Sequence, residues 1–143
     1  MKKPIRKIIF VLLTFLVILN LYLAISEAFG STVCLAGKPQ DCITVQNSEY
    51  GKIFGIKLIW FGLISFSTLL ILYYLTNSKN NYDKSTHLIY ISLTGVGAIF
   101  SFYFVYIQAF ILKVLCSSCL VLDSAMLLVF VLSFIEFFQI LRR

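Results

Sequence analysis

The sequence predicts an all-α integral membrane protein, a bundle of four transmembrane helices whose long first loop carries a short amphipathic segment. Three observations predict this fold class: 60% of the 143 residues are hydrophobic, only 13% are charged, and the mean hydropathy is +0.96. Soluble domains are about half apolar and about a quarter charged. A chain of this length can accommodate so much apolar surface only in a bilayer.

Four apolar runs approach the ~20 residues that a membrane-spanning helix needs. They predict helices at about 8–27, 58–75, 88–112 and 116–141 in one membrane domain of residues 1–143, with no fused thioredoxin domain after the fourth helix. The first apolar stretch has 18 residues, more than the roughly 7–15 of a signal-peptide core. We therefore expect the first helix to be retained, and its Thr14 and Asn20 suit contacts between helices.

The basic residues predict the orientation in the membrane. Eight Lys and Arg side chains lie at the two termini and in the second loop, against four in the first and third loops. Because Lys and Arg accumulate on the cytoplasmic side, we expect a multi-pass protein of the cell membrane with both termini in the cytoplasm. The net charge of +6 does not indicate nucleic-acid binding, since the basic residues flank apolar runs.

All four cysteines belong to the predicted outer side. Two lie in the first loop and two where the third loop enters the fourth helix: Cys34, Cys42, Cys116 and Cys119. Disulfides persist outside the cytoplasm, so their number and placement predict two pairs. Gly37 and Pro39 predict a solvated turn, not a helix or strand, between the loop cysteines. An exposed disulfide in such a loop is of the exchangeable kind.

The second pair forms a C-x-x-C motif, Cys116-Ser117-Ser118-Cys119, on the first turn of a predicted helix. A helix N-terminus stabilises a thiolate, so the motif predicts a reactive pair. The alternative is a non-enzymatic membrane scaffold with two structural disulfides. We expect no metal site, because the cysteine spacing does not match zinc sites and His87, the single histidine, lies on the opposite predicted side.

These features resemble the vitamin K epoxide reductase family and its bacterial and archaeal quinone-linked homologues, over nearly the whole chain. The family has a loop cysteine pair seven residues apart, a C-x-x-C opening the fourth helix, a serine six positions after the second loop cysteine, and glycines leading into the second helix. The matching residues here are Cys34 and Cys42, Cys116 and Cys119, Ser48, Tyr50-Gly51, Phe54-Gly55-Ile56 and Gly62.

Three positions depart from the family pattern. Lys57 stands where bacterial relatives usually have proline, and Leu58 where the animal enzymes have an asparagine that holds a quinone oxygen. Asp123 stands where the animal enzymes have a tyrosine that contacts the quinone. These departures argue against vitamin K epoxide as the substrate and leave thiol-to-quinone electron transfer intact.

The resemblance implies a quinone-dependent thiol oxidoreductase that supports protein disulfide formation. Cys34 and Cys42 would oxidise a thioredoxin-like periplasmic or extracellular protein. The electrons would pass to Cys116 and Cys119 and then to a quinone of the ubiquinone or menaquinone type. Oxidases of the DsbB type perform a similar reaction, but their two cysteine motifs occur in the reverse order.

The remaining site residues are expectations about support and quinone binding. The resemblance implies that Ser48 supports the cysteines. Asp123 lies one helical turn after Cys119, and we expect it either to complement the helix dipole or to supply a proton to the quinone. The quinone pocket should lie between the helices near the outer interface. We expect Phe54, Trp60, Phe61 and Asp123 to line it.

Overall fold

The structure is a computed structural model, and it describes residues 2–31, 33–35, 37–78 and 84–142. Four of its helices are long and apolar enough to cross a membrane, which confirms the predicted all-α membrane bundle. The elements in chain order are α1 (Lys2–Ala28), α2 (Pro39–Asn47), a 3₁₀ turn (Glu49–Gly51), β1 (Lys52–Ile53), β2 (Ile56–Lys57), α3 (Leu58–Ser78), α4 (Lys84–Tyr106), a π-helix (Ile107–Leu112) and α5 (Ser117–Leu141).

The four long helices pack around two groups of buried side chains. α1 lies against α3 and α5, and α4 packs on α5 and α3. The larger apolar cluster joins all four helices through residues such as Leu13, Leu69, Tyr90 and Val129. Many other large apolar side chains on these helices are exposed. That is the surface expected of helices that face lipid, where apolar residues need no burial.

A polar cluster joins three helices at the end of the bundle that holds the chain termini. Arg6 on α1 donates a hydrogen bond from Nε to Glu136 Oε1 on α5 at 2.8 Å. The hydroxyl of Tyr73 on α3 donates to Glu136 Oε2 at 3.4 Å. Because an ionised carboxylate inside an apolar bundle is costly unless it is paired, these contacts explain how Glu136 is buried there.

The first loop is more ordered than its sequence predicts. The turn expected between the loop cysteines is wrong in its second half, because α2 begins at Pro39 and contains Cys42. Proline suits the first position of a helix, since its missing N–H has no partner there, and Asp41 in the first turn complements the helix dipole. Cys42 is therefore a buried helix residue.

A short antiparallel hairpin follows α2 and leads into α3, and the sequence did not predict it. Lys52 pairs with Lys57 and Ile53 with Ile56, so the tip consists of Phe54 and Gly55. Both tip residues have positive φ, 52° and 80°, a conformation that suits glycine and strains a residue with a side chain. The hairpin directs Phe54 away from the bundle, and this residue is 98% exposed.

Candidate functional site

The four cysteines lie close together where the first loop meets the start of α5. Cys34 and Cys42 form a disulfide, and their Cα atoms are 6.1 Å apart. Cys116 and Cys119 are free thiols, so only one of the two predicted pairs is bonded in this structure. The Cys116 thiol donates a hydrogen bond to Cys42 Sγ, with 3.3 Å between the sulfur atoms. The two pairs are thus already in contact.

Burial differs among the four cysteines. The side chains of Cys42 and Cys116 are fully buried, and they form a core cluster with Val45 and Phe104. Cys34 and Cys119 are partly exposed. Solvent therefore reaches the loop disulfide through Cys34, whereas the sulfur-to-sulfur contact between the pairs is shielded from water.

Gln108 holds the backbone of Cys116 in place, and sequence reasoning missed it. α4 ends in the π-helix, and after it Lys113 adopts a left-handed conformation with φ of 51°. This turn brings the buried side chain of Gln108 to the start of α5. Its Oε1 accepts a hydrogen bond from the Cys116 N–H at 3.1 Å, and its main-chain oxygen accepts from the Val114 N–H at 3.2 Å.

Cys116 is also the N-cap of α5. Its sulfur accepts a hydrogen bond from the Cys119 N–H at 3.3 Å. A hydrogen bond with the Cys119 thiol lowers the pKa of the Cys116 thiol most. The N–H groups of Cys119 and Ser118 add to this effect, and burial opposes it. A thiol at a helix N-terminus that accepts such bonds is easily deprotonated, which is what nucleophilic exchange requires.

Two serines fix the segments on either side of the loop disulfide. The hydroxyl of Ser118 accepts from the Leu35 N–H at 3.1 Å and donates to the Val33 carbonyl at 3.3 Å, which ties the first loop to α5 beside Cys34. The hydroxyl of Ser48 donates to the Val45 carbonyl at 2.6 Å and accepts from the Gly51 N–H at 3.2 Å. Ser48 thus shapes the end of α2 through main-chain contacts with Val45 and Gly51.

A cavity of about 580 Å³ lies between the long helices and reaches the cysteine cluster. This volume is within the ~300–1,000 Å³ of small-molecule sites. Its walls are mainly apolar, and Cys119 and Asp123 both line it. The Ser101 side chain lies close to the Asp123 carboxyl group. Asp123 Oδ2 is buried and has no hydrogen-bond partner in the described part of the chain.

The cavity includes two of the four residues predicted to line a quinone pocket. Phe61 and Asp123 line it, whereas Phe54 and Trp60 do not. Phe54 lies at the exposed hairpin tip, and the Trp60 side chain is 41% exposed on another face of α3. One step along a helix turns a side chain by about 100°, which separates Trp60 from Phe61. The cavity therefore gives Phe54 and Trp60 no lining role.

Several polar residues in the cavity wall escaped the sequence reasoning. From the sequence, Asn20 on α1 was expected only to contact a neighbouring helix. In the structure it lines the cavity together with Glu27 and Lys57. Glu27 and Lys57 form an ion pair, and the side chain of Glu27 is 7% exposed. Lys57 is thus more than a departure from the bacterial proline, because it neutralises a buried carboxylate at the end of α1. In the sequence, the only indication of such a role was that Lys57 stands where bacterial relatives usually have proline.

Most of the chain matches a known protein family. Residues 7–134 match the family model described as the vitamin K epoxide reductase family. No curated protein matches the chain. Among the described residues, no group of three or more His, Cys, Asp or Glu side chains could hold a metal ion.

Proposed function

The chain belongs to the vitamin K epoxide reductase family and is a membrane thiol–disulfide oxidoreductase, and we propose that it transfers electrons from a thioredoxin-like protein to a membrane quinone. Cys34 and Cys42 receive the electrons, Cys116 and Cys119 pass them on, and the reaction supports protein disulfide formation. The contact that carries this proposal is the 3.3 Å separation between the sulfur atoms of Cys42 and Cys116.

The relay consists of successive thiol–disulfide exchanges. A partner thiolate attacks Cys34, which breaks the Cys34–Cys42 bond and leaves Cys42 as a thiolate. Cys42 attacks Cys116 in a Cys116–Cys119 disulfide and releases the Cys119 thiolate. The partner's second thiol displaces Cys34 from the mixed disulfide, and Cys34 then attacks Cys42 and frees Cys116. The partner has lost two electrons, and Cys116 and Cys119 hold them as thiols.

This end state corresponds to the arrangement in the structure, a bonded loop pair beside two free thiols. Each exchange needs a thiolate in line with a sulfur atom, so access and thiol pKa set the rates. The lowered pKa of Cys116 makes it a good leaving group when Cys34 attacks Cys42. Thiol–disulfide exchange is reversible, so removal of electrons through Cys119 would drive the relay forward.

The cavity beside Cys119 fits a quinone of the ubiquinone or menaquinone type. Its size, its apolar walls and the unpaired Asp123 oxygen support this assignment. A bound quinone would accept two electrons and two protons. Asp123 lies in the same cavity as the Cys119 thiol, so its carboxyl group can hold a proton at the place where one is consumed. Phe61 supplies part of the apolar wall.

We place the cysteines on the outer face of the cell membrane, with both termini in the cytoplasm. The charge distribution of the sequence supports this orientation. The partner is then a periplasmic or extracellular thioredoxin-like protein, and the exposed faces of the helices contact membrane lipid. Solvent exposure of Cys34, but not of Cys42, supports Cys34 as the residue that a protein partner reaches.

The test is quinone reduction by the purified protein. A reduced thioredoxin-like protein should reduce ubiquinone-1 in its presence, and each of the variants Cys34→Ala, Cys42→Ala, Cys116→Ala and Cys119→Ala should lose this activity. A scaffold with structural disulfides would give no thiol-dependent reduction, and that result would exclude the proposed function.

A trapped intermediate tests the order of the relay. Cys34→Ala should accumulate a Cys42–Cys116 disulfide, because Cys34 is no longer present to attack Cys42 and complete the transfer, and only reversal by Cys119 can remove the bond. Peptide mapping without reductant detects this bond, and Ser31→Ala serves as a control variant that keeps all four cysteines. If Cys42 and Cys116 are never found joined in Cys34→Ala, electrons do not pass between the pairs by this route.

A further inference from the structure

Asn20 is a buried amide that the helix bundle does not satisfy. It lies in the middle of α1, and its side chain is 1% exposed. Its Oδ1 atom has no hydrogen-bond partner among the described residues. Leaving a polar group unpaired in an apolar interior costs free energy, so its presence here calls for an explanation.

Packing between helices explains where Asn20 lies but not why it is polar. A Cβ atom added to Gly62 on α3 would come within 2.8 Å of Asn20 Nδ2, so the amide fills the space above this glycine. Small residues allow such close approach of membrane helices. The contact contains no hydrogen bond from Gly62 to the amide oxygen, and an apolar side chain at this position would leave no unpaired polar atom.

The amide faces the same cavity as Cys119 and Asp123. Gln46 also lines this cavity, and Asn20, Gln46 and Asp123 each carry a buried oxygen without a hydrogen-bond partner in the described chain. Unpaired polar atoms from α1, α2 and α5 thus converge on one mainly apolar space. Such convergence is the pattern of a ligand site, where a few polar groups orient a molecule held by apolar walls.

We infer that the Asn20 amide binds an oxygen of the quinone ring and that Gly62 provides the space that positions it, an inference that rests on the proposed function. A quinone oxygen accepts hydrogen bonds, and the hydroxyl of the reduced ring donates one. An amide side chain has both a donor and an acceptor, so it can bind either form. Asn20 therefore positions the ring, whereas proton supply belongs to Asp123.

Quinone affinity without turnover tests this inference. The probes are ubiquinone-1 and duroquinone, whose ring positions are fully substituted so that the thiols do not add to them. The thermal unfolding midpoint of the full-length protein in detergent is measured against quinone concentration, and its rise gives the dissociation constant. Loss of one hydrogen bond in Asn20→Leu should weaken binding about tenfold.

The same measurement separates binding from a structural role. If Asn20 serves a ligand, Asn20→Leu without quinone should unfold at the wild-type temperature or above, because an unpaired polar group has been replaced by an apolar one that branches at the same carbon. A structural role would instead lower this midpoint. Thr14→Val is the matched control on α1, because the Thr14 hydroxyl donates a hydrogen bond to the Phe10 carbonyl and Thr14 does not line the cavity.

Gly62→Ala provides a second variant that leaves the amide present. The added methyl group should displace Asn20 and weaken quinone binding, but it should have little further effect in the Asn20→Leu protein, because both changes then act on one contact. Wild-type affinity in both single variants would overturn the inference and leave the proposed function intact. Failure of the wild-type protein to bind either probe would overturn both.

Discussion

Substitution of Gln108 by methionine should slow electron transfer between the two cysteine pairs. Gln108 Oε1 is the acceptor for the Cys116 N–H at 3.1 Å, and the side chain is fully buried. Methionine has a similar length but no comparable acceptor. The variant therefore leaves a buried N–H unpaired at the residue whose sulfur lies 3.3 Å from Cys42 Sγ.

The magnitude follows from the cost of that unpaired group. An unsatisfied buried donor costs about 1–3 kcal/mol. If this cost falls on the conformation that aligns the two sulfur atoms, a value of about 2 kcal/mol reduces its population about 30-fold at 25 °C. We expect the rate of exchange between Cys42 and Cys116 to fall by a similar factor. Gln108→Glu keeps an oxygen acceptor and should retain more of the rate.

The assay follows a single transfer of electrons. Oxidised protein is mixed with excess dithiothreitol and quenched with acid at intervals, and free thiols are then labelled and located by mass. Cys34 reports reduction of the loop pair, which should be unchanged, and Cys119 reports the transfer, which should be slow. Gln139→Met is the control, because Gln139 lies near the far end of α5. If Cys119 is reduced at a rate within about twofold of wild type, the positioning role of Gln108 is refuted. The cost of an unpaired buried donor, about 1–3 kcal/mol, predicts a larger decrease in rate.

Three further predictions concern protonation and topology. Asp123→Asn should keep thiol–disulfide exchange at the wild-type rate, but it should slow quinone reduction and alter the pH dependence of that step. Asp123→Leu should reduce quinone more slowly still. Unchanged turnover in both variants would mean that Asp123 only compensates the helix dipole. Cys119→Ala removes the main cause of the lowered Cys116 pKa. In proteins that also lack the loop cysteines, the absorbance of the Cys116 thiolate at 240 nm should therefore appear at higher pH in Cys119→Ala than in Cys119→Ser. Coincident titration curves for the two variants would contradict this. Impermeant maleimide applied to intact, reduced cells should label Cys34 before Cys42, and labelling only after permeabilisation would reverse the proposed orientation.

The parts of the fold that depend on local sequence were predictable. Each membrane helix is one continuous apolar run, so its existence follows from composition alone. The grouping of the four cysteines could also be predicted, because the number of helices and the order of the loops bring the first loop beside the start of α5. Neither step requires knowledge of which side chains touch. The mixed case is α2, where Pro39 suggested a turn but instead begins a helix.

Contacts between distant residues were not predictable. α3 is apolar on every face, so its sequence gives no indication that Phe61 faces the cavity and Trp60 does not. Gln108 reaches Cys116 only because α4 ends in a π-helix, a rare element with no clear sequence signal. Likewise, Asn20 suggested a helix contact, but neither its partner Gly62 nor the cavity beside it could be identified before the helices were placed.

Burial suggests a reason for the direction of the proposed relay. The sequence predicted a solvated turn between Cys34 and Cys42, whereas Cys42 is held in α2 against Cys116 and both are fully buried. No large movement is then needed for exchange between the pairs. Cys34 is open to solvent, and Cys119 borders the cavity. In the proposed relay a partner thiol would react at Cys34 and a quinone would be reduced beside Cys119, so the two reactants would meet the protein at different cysteines. The buried contact between Cys42 and Cys116 would then be the step that joins the two half-reactions.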